Sequence, residues 1–418
     1  MSLAFDFNLD DRYHFRPTLE IPARPFFDWD SIPEEQLQAL AFQIGMTELV
    51  SYWKIACPKR VLVKPFALTE KQKAFWKKLY YNGLGEFLYL NGISISESEL
   101  LIIESERNQE FDKVALPLLE KTLVPIGGGK DSVVTLECLR NAMPVTPLIV
   151  NPRGATLNCV KTAGYKEDEF IVINRTLDPT MLKLNAEGYL NGHTPFSALL
   201  AFISVLVAFG SRSKYIALSN ENSANESTVP GTKINHQYSK SIEFESDFRN
   251  YVAENLNPEV QYFSFLRPLS ELQIAKLFSQ CEAYHPVFRS CNAGSKTDSW
   301  CGKCPKCLFT WIILSPFLSR EKLVAIFGKD LMADESLRPI LEELNGTAAV
   351  KPFECVGTVE EVNACLKAAG TSTSSVTASS KVPEPVEGPT VDEILSRFNT
   401  NHFLPEKFEQ ILKSRLHV

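Results

Sequence analysis

Short apolar runs alternate with helical segments through the middle of the chain, and that alternation restricts the fold more than any other feature. Between about 116 and 290, LVPI, TPLIVN, EFIVIN, KYIALSN and VQYFSFL read as buried strands. DSVVTLECLRN, PFSALLAFISVLVAF and SELQIAKLFSQC read as helices. Strands apolar on both faces and separated by helices form a parallel sheet covered on both sides. The expected class is therefore α/β, a parallel sheet with helices on both faces.

Around this block the texture changes. Residues 1–115 read as a mixed α+β region, with a strand in PKRVLVKPFAL and a helix ended at Gly83, and offer a place for substrate. Residues 116–290 are expected to bind nucleotide, and 291–367 to carry a cysteine cluster among helices. Residues 368–389, rich in Ser, Thr and Pro, read as a flexible linker, and 390–418 as a helical tail that docks on the rest.

The formal charge of −7 argues against a broad nucleic-acid-binding face, which needs an excess of Lys and Arg. The uncharged stretch Pro195–Gly210 is shorter than the roughly 20 residues that cross a bilayer, so it reads as a buried helix. The first residues, MSLAFDFNLDDRYHF, carry acids and have no apolar core, unlike a secretory signal. A cytoplasmic protein without membrane or nucleic-acid partner is expected; nothing sets its oligomeric state.

The segment PIGGGKDSVV joins a strand to a helix through Gly127, Gly128 and Gly129. Three glycines let backbone N–H groups close around an anion, and the helix that follows points its positive end there. Lys130 adds a charge, Asp131 can hold Mg2+, and the Ser132 hydroxyl can donate to a phosphate oxygen. The pattern is neither GxxxxGK[ST] nor GxGxxG. GGGKDS resembles the PP-loop of the ATP pyrophosphatases, usually SGGxDS, with Gly127 where that pattern has Ser. Those enzymes split ATP between its α- and β-phosphates and adenylate a substrate.

Ten cysteines are present. Cys291, Cys301, Cys304 and Cys307 lie within SCNAGSKTDSWCGKCPKC. Two overlapping C-x-x-C turns present sulfurs from one loop, and four thiolates suit tetrahedral structural zinc, with an iron–sulfur centre as the alternative. The other six, Cys57, Cys138, Cys159, Cys281, Cys355 and Cys365, read as core filler.

Two stretches are too polar for an α/β core: NGHTPFSA, and the region from SNENSANEST to KINHQYSKSIEFE after the strand KYIAL. Loops at the carboxyl ends of parallel strands are where ligands bind. His193 and His236 are candidates for proton transfer, with Glu221 and Glu226 in reserve. Arg267 and Arg289 could pair with a substrate phosphate or carboxylate.

Taken together, GGGKDS, NGHTPFSA, SNENSANE, NHQYSKSIEFE, RPLSELQIAKLF and FRSCN…WCGKCPKC resemble the UDP-N-acetyl-α-D-muramoyl-L-alanyl-L-glutamate epimerases, the MurL family. That family has the same glycine in place of the first PP-loop Ser. The resemblance implies a PP-loop, adenine-nucleotide α-hydrolase-like fold. It also implies ATP- and Mg2+-dependent inversion of the terminal L-glutamate of UDP-MurNAc-L-Ala-L-Glu through an acyl-adenylate, releasing AMP and diphosphate for peptidoglycan synthesis. Rival readings are a 7-cyano-7-deazaguanine-synthase-like enzyme, which also joins a PP-loop to a late cysteine site, a tRNA-thiolating PP-loop enzyme, and a non-catalytic nucleotide-binding zinc module.

Overall fold

The computed structural model describes residues 1–22, 25–114, 116–229, 231–372 and 388–416. Its centre is a seven-stranded sheet built from β1 (Ser2–Ala4), β2 (Thr18–Glu20), β3 (Leu119–Pro125), β4 (Val145–Val150), β5 (Ile171–Thr176), β6 (Ser213–Leu218) and β7 (Gln261–Ser264), in the order β1-β2-β5-β4-β3-β6-β7. The five strands from β3 to β7 are parallel. The two short N-terminal strands extend the β5 edge in antiparallel register. The sheet is thus α/β and mostly parallel, as expected.

Successive side chains on a strand face opposite sides, and the two cores follow from that. Leu123, Leu148, Ile216 and Tyr262 point to one face. Their neighbours Val124, Ile149, Tyr215 and Phe263 point to the other. Over the first face lie α1 (Glu34–Trp53), α2 (Glu70–Gly83) and α3 (Gly85–Leu90), together with the helices at 196–211 and 242–255. Over the second lie α4 (Lys130–Leu139), α5 (Glu271–Ser279) and α6 (Pro305–Leu314), with the tail helix Glu406–Leu416. The apolar segment Phe196–Ser211 is a buried helix of 16 residues. Among the described residues no helix is long and apolar enough to cross a membrane.

The tail docks as its amphipathic pattern implies. Phe408 packs 4.6 Å from Phe263 and 5.0 Å from Tyr215, ring centre to ring centre. Lys407 pairs with Glu120 at 2.6 Å. Most of the linker expected at 368–389 falls outside the described residues.

Chain order runs β3, β4, β5 on one side of β3 and β6, β7 on the other. The strand order therefore reverses between β3 and β6, the switch point at which open α/β sheets have their ligand crevice, outside the carboxyl ends of the strands. The loop after β3 is the glycine turn. The loop after β6 begins at Ser219.

Candidate active site

Each glycine in the turn has a different reason to be there. Gly128 has φ +80°, and a Cβ on it would stand 2.9 Å from the backbone of Ala155 and Thr156. Both facts demand glycine. Gly129 is the N-cap of α4 and faces Ser290, 2.9 Å from where its Cβ would be. Gly127 has nothing within 4 Å of a Cβ and is open. The turn and the N-terminus of α4 present their N–H groups at the crevice, as an anion cradle does.

Lys130 is buried at the start of α4 and donates to Asp131 and to Glu271, at the start of α5. Burial alone would lower the lysine's pKa, but the two carboxylates outweigh it and raise it. Glu271 is pushed well above the ordinary carboxylate range by burial, opposed by Lys130. Asp131 keeps part of its surface exposed, 31%, and is the group able to meet a cation. The Ser132 hydroxyl donates 3.0 Å back to the carbonyl of Gly129 instead of standing free for a phosphate.

A second cluster is assembled from three distant segments. Helix α2 starts at a Thr69–Gln72 capping box and ends at Gly83, where a Cβ would strike the Pro195 ring at 2.8 Å. That close approach sets α3 between the 191–195 turn and the loop around Ile234. Glu86, on the first turn of α3, then reaches both histidines. His236 Nδ1 makes a very short contact with Glu86 Oε2, and His193 Nδ1 lies 3.8 Å from the same oxygen. The two imidazole centres are 4.3 Å apart. Lys54 fixes the first turn by donating to the Gly192 carbonyl and to Asn191 Oδ1. The second loop is fixed by Asn235 donating to the Ala224 carbonyl at 2.8 Å.

The proton is divided unequally between the rings. Burial, with the positive charge of His236 and Lys54 nearby, lowers the pKa of His193 to about 3. Burial also works against charge on His236, but hydrogen bonds to Cys355 and Glu86 overcome it and raise that ring to about 9. Neighbouring groups whose pKa values are driven apart mark an acid and a base. The ligating atoms of Glu86, His193 and His236 converge within 4.8 Å. Glu86 thus links the two imidazoles through one carboxylate oxygen.

The two clusters share one electrostatic neighbourhood. Lys240 feels Cys355, Glu221 and Asp131, and Glu271 feels Asp131 and Glu221. Glu221 is buried between them. Glu226 instead pairs with Lys351. Arg267 is wholly buried and spends its donors on the carbonyls of Glu221 and Lys240 and on Glu245. Arg289 donates to the carbonyls of Pro286, Phe288 and Asp298. Both arginines brace the loops through these bonds.

Across the crevice, Cys291, Cys301, Cys304 and Cys307 gather with sulfur–sulfur distances of 3.5, 3.7 and 3.8 Å. Zinc bound at about 2.3 Å to four sulfurs sets them roughly 3.8 Å apart. Irons and sulfides interposed between the thiolates would spread them much farther. The quartet therefore fits a single zinc ion, with Cys304 capping α6 and Cys307 inside it.

Residues 1–265 match the MurL N-terminal domain, and residues 287–383 match the MurL C-terminal domain. The chain belongs to the MurL family. Among curated MurL proteins, the UDP-N-acetyl-alpha-D-muramoyl-L-alanyl-L-glutamate epimerase of Micromonospora sp. is 40% identical over 82% of this chain and 77% of its own length. The enzyme of the same name from Salinispora tropica is 36% identical over 82% of this chain and 75% of its own. That from Xanthomonas oryzae pv. oryzae is 34% identical over 81% and 76%. This MurL chain is accordingly an epimerase by kinship.

Sequence reasoning passed over Glu86, Glu271 and Lys54, which no local pattern marks. It also placed Cys355 among the core cysteines, and the structure corrects that. Cys355 is only partly covered and accepts from Lys240 Nζ at 3.3 Å.

Proposed function

We propose that the chain inverts the terminal L-glutamate of UDP-MurNAc-L-Ala-L-Glu to D-glutamate, spending ATP to adenylate the α-carboxylate and releasing AMP and diphosphate. The observation that carries this reading is the shared crevice, in which an anion cradle with a buried lysine adjoins a pair of histidines of unequal charge.

The chemistry needs both halves. A hydrogen beside a carboxylate resists removal because the product would be a dianion. Converting that carboxylate to a mixed anhydride with AMP removes the charge and acidifies the α-carbon. Gly127, Gly128 and Gly129 and the first N–H groups of α4 hold the phosphates, and Lys130 balances the departing diphosphate. Asp131 would hold Mg2+, which when bound neutralises phosphate oxygens. His193 and His236 serve proton transfer at one face of the α-carbon, with Glu86 keeping them in place. Glu221 lies between cradle and histidines as a further acid/base group. Glu226 ties the loop after β6 to Lys351. The four cysteines would hold a structural zinc that fixes the wall of the crevice. A UDP-linked peptidoglycan precursor as substrate also accords with a cytoplasmic, PP-loop enzyme.

The test is a coupled diphosphate assay on the purified chain with ATP, Mg2+ and the UDP-linked dipeptide, followed by chiral analysis of the glutamate. Diphosphate and D-glutamate should appear together and only with ATP present. Epimerisation without nucleotide would dismiss the adenylate.

A further inference from the structure

Outside the zinc quartet, burial raises the thiols of Cys57, Cys138, Cys159, Cys281 and Cys365 above the ordinary range. Cys355 goes the other way. Burial opposes its ionisation, but Lys240, Lys306 and His236 together lower it to about 6. A thiol that is ionised near neutrality and partly open to a crevice is the reactive kind.

Its placement is as telling as its charge. Cys355 sits in a segment tied down at every point. Lys351 clamps Glu226 and the Gly357 carbonyl. Phe353 packs 5.7 Å from Tyr89 on α3, and Glu354 accepts from Asn292 beside the cysteine quartet at 2.8 Å. At Gly357 a Cβ would come within 2.8 Å of Phe309 and 3.1 Å of Glu271, the partner of Lys130. The segment thus delivers one sulfur between the histidine pair and the phosphate cradle.

The groups form a chain: Lys240 donates to the Cys355 sulfur at 3.3 Å, His236 joins Lys240 in favouring the thiolate, and Glu86 holds His236. A nucleophile touching its base, with that base oriented by a third group, is the general form of covalent acyl-transfer sites.

We propose that Cys355 is a catalytic nucleophile that takes the activated glutamyl group from the adenylate as a thioester. This rests on the adenylating-epimerase reading above. The thiolate adds to the carbonyl carbon, the new C–S bond forms, and the C–O bond to phosphate breaks, AMP leaving with the electron pair. The thioester carbonyl then stabilises the carbanion formed when the α-proton is removed, and a proton returns on the opposite face. Water cleaves the C–S bond, freeing the carboxylate and restoring the thiol. The sum remains ATP and water to AMP and diphosphate.

The experiment is an acid quench of the full-length wild-type chain turning over ATP, Mg2+ and the UDP-linked dipeptide, followed by intact-mass and peptide mass spectrometry. An adduct of the dipeptidyl substrate on the peptide bearing Cys355, removed by hydroxylamine, is expected. Cys355→Ser and Cys355→Ala should lose epimerisation by roughly 10³-fold or more. Absence of any adduct during active turnover overturns the thioester, as does full epimerisation by either variant. If a variant does not fold, the wild-type quench still decides. Failure of the wild type to release diphosphate with this dipeptide instead strikes the adenylation reading, a separate outcome.

Discussion

His193 and His236 face a single carboxylate, with their ring centres 4.3 Å apart, Glu86 Oε2 in contact with His236 and 3.8 Å from His193 Nδ1. Burial and the neighbouring positive charges keep His193 neutral, while Cys355 and Glu86 favour charge on His236.

The charge on His236 therefore depends on Glu86. His236 has its folded pKa raised to about 9, above the unfolded value of about 6.5. Its stabilising share is fully present below about pH 6.5 and is lost as pH rises through about 9. Glu86→Gln should move the His236 titration, followed by NMR, toward lower pH. The alkaline limb of solvent-hydrogen exchange at the glutamate Cα should move with it. An unmoved limb would remove His236 from proton delivery.

Gly127 and Gly128, adjacent in sequence, should respond in opposite ways. Gly127→Ser meets open space, and its melting temperature should match that of the wild type. Gly128→Ala combines a left-handed φ of +80° with a collision at 2.9 Å against backbone. Crowding of that kind costs about 1–3 kcal/mol, read as a lower unfolding midpoint and loss of diphosphate release. Equal stability of the two variants would contradict the cradle geometry.

Lys130 and Glu271 form a buried ion pair. Removing one partner of such a pair costs about 3–5 kcal/mol, because a charge is left unmatched. With Glu271 already raised above its ordinary pKa, Lys130→Met should leave a carboxyl that is protonated at low pH and strained at high pH. Its loss of stability should grow between pH 5 and pH 8, in denaturant titrations at each pH. Adding Glu271→Gln should flatten that dependence, and neither variant should release diphosphate.

The cysteine quartet should carry one zinc per chain by elemental analysis, without the visible absorption of an iron–sulfur centre. Cys304→Ser should lower the thermal midpoint, since it removes one of the four sulfurs gathered at the start of α6. Visible colour lost on reduction would reassign the metal.

How much of this is legible in the sequence depends on distance along the chain. The parallel strands, the glycine turn and the cysteine quartet are local patterns, and each lies where its pattern indicates. The partnerships are not local. Lys130 and Glu271 are 141 residues apart, and His236 and Glu86 are 150 apart. Nothing in GLGEFLYL marks Glu86 as a site residue, because its importance comes from where Gly83 and Pro195 let α3 rest. Cys355 in KPFECVG reads as filler because only folding brings Lys240 and His236 to it. The two N-terminal strands, three residues each, are too short to show a period, so their joining of the sheet is invisible until the edge of β5 is in place.

The carboxylates around Lys130 have one more effect. At rest this ammonium already holds two counter-ions, so under the proposed function a triphosphate entering the cradle would exchange with an anion and not find a bare cation. Such a swap tempers nucleotide affinity. On that same proposal, once diphosphate departed Glu271 would be at hand to reclaim the lysine, and the pocket would reset without waiting for solvent ions to fill it.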